Sequence, residues 1–334
     1  MKSLSRNSRR SLLGLPLRII IGLSIFGVSL GGMGIAGLEF KRAQAGDSPG
    51  PLENPQLALA LLQPVTNDAA TSFIQMSDTQ LGMMSKPLLF LAMGWSWRDD
   101  YYQGETKNFE TAIDFSNKTK PSFVIICGDL VHARNHKGQT GEFKRISAQL
   151  NPNIPLYLVS GNHDVDNKPS EESLAYFRET FGPDWYSFQH NDIYGIVLNS
   201  SLMYAPENVA NEELAQRTWL ATELQKANDV SAKHIIVFQH HPYNINDDTQ
   251  ENIHEAEEFS TRKLYLDLFL EHGVEAIMTG HLHDNVVEEY KNMAMITTGA
   301  VGMPSPFGDS RSGLRVVKTD GDGMHHAFIA LKDL

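Results

Sequence analysis

Five short segments of this 334-residue chain hold side chains of the kinds that bind metal ions and move protons. They read Asp78-Thr79-Gln80, Gly128-Asp129-Leu130-Val131-His132, Gly161-Asn162-His163-Asp164, Gln239-His240-His241-Pro242 and Gly280-His281-Leu282-His283. Any one of them has an ordinary explanation, since an aspartate at a strand end is commonly a cap and a Gly-Asn pair commonly a turn. Together they supply carboxylate, amide and imidazole groups, the hard and intermediate ligands that suit Mn²⁺, Fe²⁺/Fe³⁺, Zn²⁺ or Mg²⁺. The glycines allow sharp turns that aim a side chain back over a strand end. On an extended segment, His281-x-His283 would present both imidazoles on one face, each to a different ion. The same spacing in Asp78-x-Gln80 offers a carboxylate and an amide oxygen to one ion.

Each segment directly follows an apolar run of strand type: Phe73–Met76, Phe123–Cys127, Leu156–Val159, His234–Phe238 and Val274–Met278. Further runs of this kind are Ile193–Leu198, Met293–Thr297 and Leu314–Val317. Amphipathic stretches at Thr106–Thr119, Glu142–Leu150, Glu171–Phe181, Asn211–Asn228 and Ser260–His272 read as helices. Strands alternating with helices predict an α/β fold with parallel pairing, and such folds place ligands just beyond the carboxyl ends of their strands. In the last third the strands follow one another with only turns between, as in an antiparallel sheet. Two packed mixed β-sheets flanked by helices accommodate both patterns.

The ordered set Asp-x-Gln, Gly-Asp-x-x-His, Gly-Asn-His-Asp, Gln-His-x-Pro and Gly-His-x-His resembles the calcineurin-like metallophosphoesterase superfamily across about residues 72 to 332. Gln80, Gly128–Ala133, Leu198-Asn199-Ser200 and Gly313-Leu314-Arg315-Val316-Val317 look more narrowly like its calcineurin-like phosphoesterase domain-containing protein 1 branch, whose members are described as serine/threonine phosphatases. The resemblance implies that Asp78, Gln80 and His283 hold one ion, that Asn162, His240 and His281 hold a second, and that Asp129 bridges both. His240 is preferred to His241 because the pattern is His-x-Pro. His163 would donate a proton to the leaving group or stabilise developing charge, held by Asp164. Two ions about 3.5–4 Å apart clamp a phosphoryl group and lower the pKa of a shared water toward ~7, so the expected reaction is hydroxide attack on a phosphate ester. Gln80 departs from the superfamily's usual histidine, and an amide oxygen is the weaker ligand for most transition metals. Phosphomonoesters are the leading substrate class. The alternatives are a phosphodiesterase acting on nucleotides or lipid head groups, and a metal-binding scaffold without turnover.

Residues 1–10 carry Lys2, Arg6, Arg9 and Arg10, and Ile19–Leu38 carries no charge. Lys41, Arg42 and Ala43-Gln44-Ala45 follow, so residues 1–45 read as a signal peptide. Arg9-Arg10 and the glycine-rich apolar stretch resemble a twin-arginine signal, which makes the translocation machinery a partner and an exported, periplasmic or extracellular location the expectation. An uncleaved membrane anchor is the alternative, since 20 uncharged residues can span a bilayer. Removing residues 1–45 takes seven bases and one acid from totals of 28 and 40, leaving a net charge of −18. Such a surface excludes a nucleic-acid coat, and it obliges any phosphate site to bring its own positive charge, as metal ions would.

Residues 46–70 read as a linker or lead-in, and 71–334 as the folded domain. The lone cysteine, Cys127, excludes an intrachain disulfide and reads as a small buried apolar residue. His132 reads as a cleft residue or a structural hydrogen-bonder, Asn199 as a turn or site residue, and Trp95–Tyr102 as a surface loop or substrate wall. Arg311, the one cation of the Gly302–Gly313 loop, is expected to help hold the substrate.

Overall fold

Strand β2 (Phe123–Cys127) is buried along its whole length. Phe123, Ile125 and Cys127 face one apolar cluster, while Val124 and Ile126 face another. An unbroken apolar run is what a strand covered on both sides requires. The computed structural model describes residues 54–62, 70–83, 102–243, 259–304, 311–321 and 323–334. These residues lie in one compact unit, Ala45–Leu334.

The first sheet has the order β11 (Gly323–Ala330), β10 (Gly313–Asp320), β1 (Thr71–Met76), β2 and β3 (Leu156–Val159). The second runs β4 (Tyr186–His190), β5 (Ile193–Val197), β6 (His234–Phe238), β7 (Ala276–Thr279), β9 (Met293–Thr297) and β8 (Val286–Tyr290). The strands β1-β2-β3 pair in parallel, as do β5-β6-β7-β9, and the remaining pairs are antiparallel. The crossovers of β1-β2-β3 carry helices α2 (Gln103–Thr119) and α3 (Lys137–Ser147). Behind β3 come the short α4 (Asn162–Val165) and α5 (Glu171–Phe181). In the second half, α6 (Ser200–Tyr204) and α7 (Ala210–Asp229) precede β6, and α8 (Phe259–Glu271) precedes β7.

Three apolar layers hold the sandwich. Phe109, Ile113, Phe143, Ile146 and Phe177 of the helices cover Ile74, Val124 and Ile126 of the first sheet. Leu220, Leu224, Tyr265 and Phe269 cover Ile235, Val237 and Ile277 of the second. Between the sheets, the Phe73 ring stacks on Phe123 at 4.5 Å and meets Phe238 of the other sheet edge-on at 5.9 Å. Such aromatic pairs contribute about 0.5–1.5 kcal/mol beyond the area they bury.

The expected strands and helices are present, with ends shifted by a few residues. Helix α3 starts well before Glu142, because the His136 ring accepts a hydrogen bond from the Gln139 amide and caps it. Strands β4, β8 and β11 lie outside the expected set, and all three are sheet edges. The last third is only partly antiparallel. Its hairpins β8–β9 and β10–β11 join different sheets, and β9 pairs in parallel with β7. Within the expected lead-in, residues 55–61 form helix α1 (Pro55–Leu61), capped by Asn54 and packed through Ala58 and Leu61 onto the first core. The segment expected to be a signal peptide and Trp95–Tyr101 lie outside the described residues.

Candidate metal centre

The parallel strands β1, β2, β3, β6 and β7 each end in one of the five polar segments, and backbone hydrogen bonds join these loops. The Asp78 amide donates to the Gly128 carbonyl at 3.0 Å, Gln80 to Asp129 at 2.8 Å, His132 to Leu81 at 3.0 Å, and Gly280 to His240 at 3.0 Å. The backbone at Asp78, Gln80, Asp129, His281 and His283 has φ between 34° and 72°. Non-glycine residues rarely occupy that left-handed region, and each costs of order 1–3 kcal/mol unless the surroundings impose it. Five of the ten non-glycine residues with positive φ among those described lie in these loops. Their positive φ revises the expected geometry of the two spacings. Neither Asp78-x-Gln80 nor His281-x-His283 is extended, so turns aim these side chains where a pleat was expected.

Glycine is needed here chiefly for room. A Cβ on Gly161 would lie 2.1 Å from Asp129 Oδ1, and one on Gly280 would lie 2.4 Å from Ser77 Oγ. Gly128 needs both room and its φ of 84°, since a Cβ there would meet the His240 ring at 2.5 Å.

Asp129, His240 and His281 bring ligand atoms within 4.8 Å of one another, an arrangement able to hold an ion. Asn162 joins them, with Oδ1 3.0 Å from His240 Nε2 and its amide nitrogen donating to Asn167. On the other side, His283 Nε2 lies 3.5 Å from Asp78 Oδ1. Gln80 Nε2 approaches Asp129 Oδ2 at 3.4 Å, and its oxygen Oε1 is buried without a hydrogen-bond partner. A buried acceptor left over in this way is what a bound cation would satisfy. The seven residues expected to bind metal therefore face a common centre, with Asp129 between the two groups.

Second partners orient the imidazoles, as metal ligands require. His240 Nδ1 meets the Cys127 carbonyl at 2.9 Å, and His283 Nδ1 the Met303 carbonyl at 2.6 Å. Neither of these partners is a side chain, so their roles had no sequence signal. Ser77, whose hydroxyl hydrogen-bonds the Asp78 carboxylate, was also missed. His241 packs its ring 4.5 Å from His281 and has Nδ1 2.8 Å from Ser200 Oγ, while His240 is the member of the pair whose ligand atom groups with Asp129 and His281.

The electrostatics favour positive charge. Burial alone would lower the pKa of His240, but the carboxylate of Asp129 overrides it and lifts the value to about 9. His283 is likewise raised against its burial, chiefly by Asp78. Burial opposes ionisation of Asp78 and Asp129, yet the facing histidines hold both below the usual carboxylate range. Burial, reinforced by His240, drives His281 down to about 4, so the ring is neutral and one of its two nitrogens is free of a proton.

His163 is held differently from expectation. Its ring Nδ1 lies 2.8 Å from the His132 carbonyl, and the two rings stack at 4.8 Å. A carbonyl only accepts, so Nδ1 carries the hydrogen and Nε2 is the nitrogen available to a substrate. Its backbone amide donates to Asp129 Oδ1 at 2.9 Å. Asp164 does not orient the ring. Its buried carboxylate accepts from the amides of Gly161, Leu130 and Val131 at 2.8–3.3 Å, clamping two ligand loops together. Burial and the charge of Asp129 push that carboxyl up to about 8, against the pull of these amides.

The other candidates resolve plainly. Cys127 is buried and its thiol is pushed up to about 12 by that burial. Asn199 caps α6 and bonds Asp184. Arg311 forms an ion pair with Asp333 at 3.6 Å.

Residues 71–285 match the family model described as calcineurin-like phosphoesterase. The chain belongs to the calcineurin-like phosphoesterase family. The serine/threonine-protein phosphatase CPPED1 of Bos taurus is 34% identical over 273 residues, covering 78% of this chain and 84% of that protein. Its Homo sapiens counterpart is 34% identical over 279 residues, with the same coverage. Among solved structures, a dimetal phosphatase from Danio rerio superposes with a TM-score of 0.54 at 16% identity, covering 79% of this chain and all of that one. GAP50, the anchor in the inner membrane complex of Plasmodium, gives 0.55 at 17% identity, covering 79% and 86% of the two chains. At such identities the likeness concerns the fold alone, and a fold by itself does not settle turnover. Family membership makes this phosphoesterase a metal-dependent hydrolase of phosphate esters.

Proposed function

We propose that the protein is an exported phosphomonoesterase working with two metal ions. Asp78, Gln80 and His283 hold one ion, Asn162, His240 and His281 hold the other, and Asp129 is shared. The observation that carries this reading is the meeting of ligand atoms from both sheets around Asp129, beside a buried Gln80 oxygen that has no other partner. When bound, two such cations neutralise the phosphoryl charge and bring the pKa of a water toward ~7. The chain's own part is to fix the ligands through strained turns, clamp the loops through Asp164, and present His163 Nε2 to the leaving oxygen. The relatives named as serine/threonine-protein phosphatases favour monoesters, with phosphoserine and phosphothreonine as the substrate class.

The test is hydrolysis of p-nitrophenyl phosphate and bis-p-nitrophenyl phosphate by the purified protein, after chelation and after adding back Mn²⁺, Mg²⁺, Fe²⁺ or Zn²⁺. Turnover lost on chelation, restored by metal and faster on the monoester is the expected result. Preference for the diester would replace the monoester reading with a phosphodiesterase. Two bound ions without turnover on either ester would favour the scaffold.

Export rests on the order of basic, apolar and Ala-x-Ala residues in the first 45 positions. A reporter fused to residues 1–45 is expected to be exported, and Arg9→Lys/Arg10→Lys to block it. Export surviving that double substitution removes the twin-arginine route.

A further inference from the structure

The largest fully buried side chain among the described residues is a cation, Arg315, on β10. Burying a guanidinium costs several kcal/mol unless its donors are met, and burial pushes its pKa down to about 9. Its described hydrogen bonds all go to neutral acceptors. Nε donates to Thr298 Oγ1 at 2.8 Å, Nη1 to His326 Nδ1 at 2.9 Å, and Nη2 to Asn285 Oδ1 at 3.0 Å and the Thr297 carbonyl at 3.4 Å. His326 can accept because burial and the nearby guanidinium keep its ring neutral.

The partners are more informative than the burial. Arg315 belongs to the first sheet, whereas Asn285, Thr297 and Thr298 belong to strands and loops of the second. Asn285 stands two residues beyond His283 and also accepts the Gly299 amide at 3.1 Å. Thr298 passes its own hydroxyl hydrogen to Gln75 at 2.6 Å, and its carbonyl accepts Ser77 Oγ at 3.1 Å. That same Ser77 hydroxyl contacts the carboxylate of Asp78. Arg315 thus touches the ends of two supports, one leading to His283 and the other to Asp78. These ligands come from different sheets and stand 3.5 Å apart, His283 Nε2 to Asp78 Oδ1.

Apolar packing between sheets is non-directional and does not by itself fix such a separation. A planar fork with donors at fixed angles does, and an ammonium on a flexible stem does not replace it. We infer that Arg315 is a positioning residue that fixes Asp78 against His283, and thereby sets the affinity of the ion those two share. This inference rests on the two-metal reading.

The test is a calorimetric Mn²⁺ titration of the full chain, beside thermal melting, for the native protein, Arg315→Lys, Asn285→Ala and Asn285→Asp. Outer-shell changes typically cost 10–100-fold in metal affinity, so Asn285→Ala is expected to weaken one of two sites about tenfold and leave the other unchanged. Arg315→Lys should weaken the same site at least as much. Asn285→Asp keeps an acceptor oxygen and should bind as the native chain does. Asn285 is only half-buried, so its variants remain informative if Arg315→Lys does not fold. Folded Asn285→Ala with both Mn²⁺ affinities intact overturns the inference. Equal weakening of both sites, or no rescue by Asn285→Asp, overturns it in favour of general scaffolding. A native chain that takes up no Mn²⁺ instead overturns the two-metal reading beneath it.

Discussion

Replacing Asp129 with asparagine is expected to remove phosphoester hydrolysis and leave the fold intact. Asparagine has the same shape, and its oxygen can still accept the His163 amide that Asp129 Oδ1 accepts at 2.9 Å. Its backbone suits the position as well, because φ is 51° and asparagine is among the residues that tolerate the left-handed region best. What disappears is the charge. Asp129 faces His240, and its burial is tolerated because the facing histidines stabilise its ionised form. Removing that charge relieves a repulsion acting on Asp164 but takes from His240 the carboxylate that raises it, so the metal-free variant should stay folded and melt at or below the native temperature. The cost falls on catalysis. Outer-shell partners of metals are worth 10–100-fold, so loss of a shared anionic ligand should lower turnover on the order of 10³-fold or more. Initial rates at saturating metal, read beside a melting curve, separate the two effects. A folded variant with native turnover would remove Asp129 from the centre of the mechanism.

The interior of the fold was legible because burial writes a simple signal. Runs such as Phe123–Cys127 and His234–Phe238 are covered on both faces, so every residue is apolar or tied into the packing, and their limits match the strands residue for residue. The edges were not legible. Val286–Tyr290 mixes valine with two glutamates, because an edge strand needs only one covered face. At the site, the ligand types and their order singled out loops that the strands bring together, since chemistry restricts which side chains hold a cation. The geometry between them was less accessible. A spacing of two suggested a pleat, whereas His281 and His283 sit in left-handed turns and bond Asp78 and Met303, contacts that the spacing does not reveal. The same holds for Asp164, whose backbone partners at Leu130 and Val131 lie more than thirty positions away. Arg315 did carry a signal. A charged residue inside Leu314–Val317 breaks an apolar run and asks what it is bonded to, a question that only the facing sheet answers.

The second large effect is expected at His163. Its substitution by alanine should leave metal binding unchanged, because the ring is engaged with the His132 carbonyl and lies outside the group of ligand atoms around Asp129. Turnover should nevertheless fall, since a positioned general acid contributes ~10²–10⁴-fold. The size of the loss should depend on the leaving group. p-Nitrophenolate departs readily as an anion and gains little from a proton, whereas the alkoxide of a phosphoserine peptide needs one as the P–O bond breaks. With Nδ1 donating to a carbonyl, Nε2 delivers that proton from the doubly protonated ring, which is left as the neutral Nδ1–H imidazole. His163→Ala is therefore expected to cost far more on a phosphopeptide than on p-nitrophenyl phosphate, at equal metal content. A loss of the same size on both esters would make His163 a stabiliser of developing phosphoryl charge, because that role does not depend on how well the leaving group departs. A loss accompanied by missing metal would instead make it part of the ion-binding shell, through the amide it donates to Asp129.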